Sequence, residues 1–132
     1  MLDQKADVIF AAGGQAGNGG LLAIVERKDS GVLGIGVDTD QYNTLQQAQP
    51  ILLSSAMKLI TPGVFNLIKA GQGGSFKGGN NFGLVGLAPY HDNESKVSDA
   101  IKQKMQQLDA DVQAGKVDTG WKTPTGNCPA SV

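Results

Sequence analysis

The stretch "DVIFAAGGQAGNGGLLAIVERKDSGVLGIGVD", residues 7–38, decides how this chain folds. It opens on "DVIFAA", an apolar run too brief for a helix and ended by Gly13 and Gly14, which reads as a buried strand. Five of residues 13–20 are glycine. Behind them Asn18 is placed to N-cap a helix over "GGLLAIVERKDSG", with Leu21, Leu22, Ile24 and Val25 inward, Glu26 to Lys28 outward and Gly31 as the stop. "VLGIGVD", residues 32–38, is again apolar on both faces. Two such strands joined by one helix predict a right-handed βαβ unit with parallel pairing, because parallel strands are the ones normally buried on both sides.

Outward from this unit, "QYNTLQQAQP" is polar and ends in proline, which reads as a loop or a short irregular helix. A third strand follows in "ILLSSAMKLI", residues 51–60, running to about Leu59. Pro62, at the first position of a helix behind Thr61 as cap, opens "PGVFNLIKAGQGG", with Val64, Phe65, Leu67 and Ile68 expected to face the core. A fourth extended segment covers about Asn81 to Leu87, weakened by Gly83 and Gly86. From Glu94 to Ala114 the positions Val97, Ile101, Met105, Leu108 and Val112 form one narrow apolar stripe, predicting an amphipathic helix capped by Asn93 or Asp92 and ended by Gly115. The segments divide as a βαβ unit with its loops over 1–60, a crossover helix over 61–80, a return strand and final helix over 81–120, and a coil tail over 121–132.

The chain has 132 residues, 40% of them hydrophobic, enough for one domain with a core. Its net charge is -1 and its basic residues are scattered, so no nucleic-acid footprint is present and no nucleic-acid partner is expected. The single cysteine, Cys128, has no partner for a disulfide or a metal site and is expected to be an exposed tail thiol. No apolar run is long enough to span a bilayer, and "MLDQKADVIF" lacks the basic and apolar regions of a signal peptide, so the chain as it stands is expected in the cytoplasm.

The glycine segment is not a phosphate loop of either common kind. A Walker A loop would place lysine after Gly19, where Gly20 stands, and the dinucleotide pattern would place a third glycine at Leu22. What remains is a strand-to-helix loop of little side-chain bulk at the carboxyl edge of a parallel strand. Open α/β sheets bind ligands at that edge, and glycine lets a ligand lie against main-chain N–H groups. Asp38 and Asp40 follow the second strand and share that edge. Tyr42 and Asn43 stand where a calcium loop needs an oxygen ligand and glycine, so the carboxylates are read either as turn and cap residues or as acceptors for ligand hydroxyls. His91 is read as a loop residue, and Lys58 as an exposed strand end or a cation pointing into a cleft. Neither a metal nor a cofactor is expected. An enzyme reading through Asp38 and His91 is set aside because no nucleophile and base adjoin.

Taken in order, "ADVIFAAGGQAGNG", "GIGVDTDQ", "SSAMK", "FKGGNNFGL" and "VGLAPYHD" resemble the C-terminal part of the basic membrane protein family of substrate-binding lipoproteins, which includes purine nucleoside receptors of ABC transporters. The resemblance runs from about Ala6 to Pro129. It implies a type I periplasmic-binding-protein fold: two flavodoxin-like α/β lobes joined by three crossovers and closing over a nucleoside. This chain would hold an incomplete part of it, a parallel-sheet layer between helices. It also implies that Phe10 stacks on the base, that Asp38 or, second, Asp40 holds the ribose hydroxyls, that Lys58 reaches the ribose, and that Gly14 or Gln15 meets the sugar. Family members carry a complete first lobe and a lipobox cysteine ahead of this region, so residues 1–132 resemble a fragment of a lipid-anchored, extracytoplasmic protein whose partner is an ABC permease. Such a fragment is expected to bind nucleoside weakly or not at all, and to form either a compact single layer or an intertwined homodimer. The alternative is a cytoplasmic regulatory or assembly domain reusing the same lobe.

Overall fold

The structure, a computed structural model, describes residues 2–27, 31–79 and 83–118. The chain divides into two units, Met1–Val97 and Ser98–Val132. In the first, β1 (Val8–Phe10), β2 (Leu33–Asp38), β3 (Leu52–Lys58) and β4 (Val85–Leu87) form one sheet in that spatial order. β1 pairs β2 and β2 pairs β3 in parallel, with a register shift at Gly34/Ile35. The α/β layer with flanking helices expected from residues 7–38 is therefore present.

The helix of the βαβ unit, α1 (Gly14–Glu26), starts earlier than Asn18. Its N-cap residue is Gly13, with no side-chain cap, and the glycine segment forms its first two turns instead of a loop. Close packing accounts for this. A Cβ on Gly17 would overlap the carbonyl oxygen of Ala11, just beyond β1, so the helix can press against the strand end only if residue 17 is glycine. Glycine's weak helix propensity is offset by the burial this approach allows. Leu21 and Ile24 are 0% and 1% exposed, and they join Ala11, Val32, Ala48 and Leu52 in the core. Each such large side chain contributes about 1.5–3 kcal/mol.

The polar stretch after β2 folds into a short helix, α2 (Gln41–Thr44), followed by a 3₁₀ segment, Gln46–Ile51, that contains Pro50. The next helix, α3 (Ile60–Gln72), begins with Leu59 at the cap position, so Pro62 is its third residue and Thr61 lies inside it. Proline is tolerated there because the first N–H groups of a helix have no carbonyl to donate to. The apolar residues of α3 do not face a core. No residue of α3 is buried, and Ile60, Val64, Phe65 and Ile68 are exposed.

This explains a second departure. A helix that does not lie back across the sheet cannot deliver a parallel strand, and β4 returns antiparallel to β3, with Leu59 N–H donating to the Leu84 carbonyl at 2.8 Å. The sheet is mixed, and the part of the predicted fourth segment at Asn81 and Phe82 lies outside the described residues. A 3₁₀ segment, His91–Lys96, precedes Val97, which is buried.

In the second unit α4 (Asp99–Gln113) is shorter at its start than the periodicity implied. Ser98, not Asn93 or Asp92, caps it, its hydroxyl accepting from Ile101 N–H at 3.4 Å. Ile101 and Leu108 on its stripe are exposed, and Gly115 follows the helix with φ +66°. Cys128 and the coil tail lie outside the described residues.

The close approach of Gly17 has a measurable contrast with Gly19, whose Cβ position meets nothing within 4 Å. In urea unfolding Gly17→Ala is expected to destabilise the chain by about 1–3 kcal/mol. Gly19→Ala, in an open helical position, is expected to stabilise it by about 0.5–1 kcal/mol.

Candidate functional site

Parallel strands that end side by side leave their last residues and the following turns around one edge. Here β2 ends at Asp38, the α2 turn follows, and α1 begins alongside. Between them lies a polar cleft of ≈ 330 Å³, walled by Gly14, Gln15 and Asn18 of α1 and by Asp38, Thr39, Gln41 and Thr44 of the β2–α2 turn.

Asp38 occupies the left-handed region, with φ +72°. A non-glycine residue held there stores about 1–3 kcal/mol of strain, and such positions cluster at functional sites. Its Oδ1 meets Lys58 Nζ at 2.7 Å, across the β2–β3 pair where Asp38 is opposite Met57. Both side chains are about half exposed or more, at 46% and 65%. A solvated pair of this kind contributes at most about 1 kcal/mol to the fold. Its consequence is local: the Asp38 carboxylate on the cleft wall is held against an ammonium that borders the neighbouring recess. Lys58 also borders an apolar recess of ≈ 400 Å³ lined by Ile60, Val64, Leu67 and Val85.

Asp40 is placed differently. Its Oδ1 caps α2 by accepting from Tyr42 N–H at 3.2 Å, and its Oδ2 accepts from Asn43 Nδ2 and meets His91 Nε2, each at 2.9 Å. Both oxygens are engaged within the chain, the arrangement of a turn and cap residue. His91 is more than a loop residue. Its ring stacks on Tyr42 with centroids 4.0 Å apart and planes at 15°, so the 3₁₀ segment is fastened to α2. Tyr42 donates its hydroxyl proton to Asp92 Oδ2 at 2.6 Å. The phenol is held above its usual range, first by that hydrogen bond to Asp92, then by desolvation and by the negative charges of Asp92 and Asp40.

Phe10 stands at the end of β1, 55% exposed, a free aromatic face beside neither recess. Thus Gly14, Gln15 and Asp38 share the cleft, Lys58 joins them through Asp38, and Phe10 and Asp40 stand apart from its wall.

Sequence reasoning missed Gln41 altogether and read Asn18 as a helix cap and not as part of the site. Gln41 is buried at 7% exposure, its Oε1 accepting from Val37 N–H at 2.9 Å and its Nε2 donating to Asn18 Oδ1 at 2.7 Å. Its own N–H donates to Ser55 Oγ at 3.1 Å. The signal that could have found it is Gly36: a Cβ there would lie 2.6 Å from both Gln41 Oε1 and Ser55 Oγ, so glycine in mid-strand marks the space the amide fills. Among the described residues no group of His, Cys, Asp or Glu is arranged to hold a metal, and no helix is long and apolar enough to cross a membrane.

A largely parallel sheet with a polar cleft outside the carboxyl ends of its strands is the architecture of α/β proteins that hold small ligands at that edge. The Bmp family model, described as ABC transporter substrate-binding protein PnrA-like, matches residues 1–113, and the chain belongs to that family. No curated protein matches the sequence significantly.

The Tyr42–Asp92 contact sets a pH dependence of known sign. A raised phenol value means that the folded state favours the neutral form, so this contribution is complete below the ordinary phenol value and is lost as pH climbs through the raised one. In an absorbance titration of phenolate one tyrosine is expected to ionise above about pH 10. Asp92→Asn is expected to bring that transition down.

Proposed function

We propose that this chain is the C-terminal portion of a solute-binding lipoprotein feeding an ABC importer, that the solute is a purine nucleoside, and that the chain's role is binding and not catalysis. The family supplies the substrate-binding class and the ABC permease as the general partner. The observation that carries the finer reading is the Asp38–Lys58 pair at 2.7 Å, whose carboxylate stands on the wall of the polar cleft. A carboxylate and an ammonium held together suit vicinal hydroxyls, one oxygen accepting from each hydroxyl proton while the ammonium donates to a hydroxyl oxygen. Gly14 and Gln15 complete the sugar side, and the base extends beyond the cleft toward Phe10, exposed at the end of β1, as its stacking face. Asp40 serves as the cap that shapes the turn.

Stacking on one aromatic face is worth about 1–3 kcal/mol, so a site that lacks an opposing lobe binds far more weakly than a closed one. The exposed apolar row Ile60, Val64, Phe65 and Ile68 on α3 supports the reading that further structure covers this part in the intact protein. In that protein the site lies outside the cytoplasm and is tethered by a lipid anchor. In isolation, a second copy of the chain supplies the missing sheet edges in an intertwined homodimer, with a compact single layer as the alternative.

Calorimetry of this chain with guanosine, adenosine and inosine is expected to show no sub-micromolar affinity; tight binding would refute its being half a site. In saturation-transfer NMR at millimolar nucleoside, ribose protons are expected to receive signal from the parent chain and to lose most of it with Asp38→Ala. Sedimentation equilibrium is expected to give a dimer, and a monomer across the concentration range removes the self-association.

A further inference from the structure

The polarity of the cleft is written into a chain of hydrogen bonds that starts at the backbone. Leu33 N–H donates to Asp7 and Ile35 accepts from Ala11 N–H, so odd-numbered residues of β2 point their peptide groups toward β1. β1 has ended at Phe10, and the N–H of Val37, which points the same way, donates to the Gln41 side chain at 2.9 Å. An N–H can donate and cannot accept, so the Gln41 atom facing it is Oε1. The other end of that carboxamide is then Nε2, also a donor, and the Asn18 atom 2.7 Å away must be Oδ1. Asn18 is left with its Nδ2 on the cleft side, where its one partner among the described residues is the exposed Gln15 Oε1 at a long 3.4 Å.

We infer that Asn18 contacts the ligand through an NH₂ group locked toward the cleft, and that buried Gln41 is the positioning residue that imposes this direction. Taking the cleft as the ligand site rests on the reading given under Proposed function; the lock itself does not. Beside it, Asp38 has Oδ1 on Lys58, while its Oδ2, with no partner among the described residues, can accept a hydroxyl proton. The wall thus offers a fixed donor next to a fixed acceptor, which selects a neutral polyhydroxylated ligand. An anionic group would meet the Asp38 carboxylate, and a ligand with donors alone would meet the Asn18 amide.

Proton exchange of the ¹⁵N-labelled chain reads the lock without any ligand. The Val37 amide and one Gln41 Nε2 proton are expected to exchange at least about tenfold slower than the Asn18 Nδ2 protons. Gln41→Glu keeps the acceptor for Val37 and removes the donor for Asn18. Asn18 is then expected to turn over, its NH₂ becoming about tenfold better protected while the melting temperature stays close to the parent's. Asn18→Asp, which still accepts from Gln41, is expected to preserve the Gln41 protection and to cut the guanosine saturation-transfer signal at least about fivefold, close to 1 kcal/mol. It provides the decisive comparison if Gln41→Glu does not fold. Equal exchange of the Gln41 and Asn18 side-chain protons in the parent, or an unchanged guanosine signal in Asn18→Asp, overturns the inference. The expected exchange pattern with no guanosine signal from the parent upholds the lock and overturns the nucleoside reading instead.

Discussion

The contact on which the rest of the first unit depends is the seat of α1 on the end of β1, where Gly17 lies against the Ala11 carbonyl. That approach drives Leu21 and Ile24 into the core with Val32 and Leu52. It also sets the height of the helix start, and so brings Gly14, Gln15 and Asn18 level with the end of β2. A bulkier residue at 17 would lift the helix and, with it, one wall of the cleft. Packing and site geometry are therefore one constraint here, not two.

The opposite wall is held by polar contacts. Gln41 takes over the Val37 N–H where β1 stops, while Asp40 caps the α2 turn and is gripped by His91. Further along, Asn93 Nδ2 donates to the Leu52 carbonyl at 2.7 Å and Ser54 Oγ to the Ala88 carbonyl at 2.8 Å, tying the segment after β4 to β3. No buried side-chain N or O atom among the described residues lacks a partner, and a satisfied network of this kind specifies one arrangement where apolar packing would allow several. Against this framework stands a solvated pair at the end of the strands, Asp38 and Lys58. They do little for the fold, which leaves them available for a ligand.

α3 is the element whose chemistry is unmatched by its surroundings. Its spacing is that of a core-facing helix, and its apolar residues face solvent. A helix is amphipathic because something buries the apolar face, and this row together with the apolar recess beside β4 marks where the chain's own packing stops.

The alternation of apolar runs with one helical segment was enough, by itself, to determine the parallel β1–β2 unit and the presence of a third strand, because strand length and side-chain period are local properties. The placing of Asp38 and Lys58 at strand ends was legible for the same reason, since each strand can be read from its apolar run. Tertiary structure alone decided the rest. α1 starts at Gly14 because a glycine four residues on packs against a strand end, a contact that propensity does not encode. β4 runs antiparallel because α3 does not cross the sheet, and the same fact exposes Val64, Phe65 and Ile68. Asp40 was separated from Asp38 by His91, distant in sequence, and the direction of the Asn18 amide was set by a chain of donors running back to Val37. Each of these depends on which groups meet across the fold, and hydrogen-bond direction and close approach have no periodicity to read.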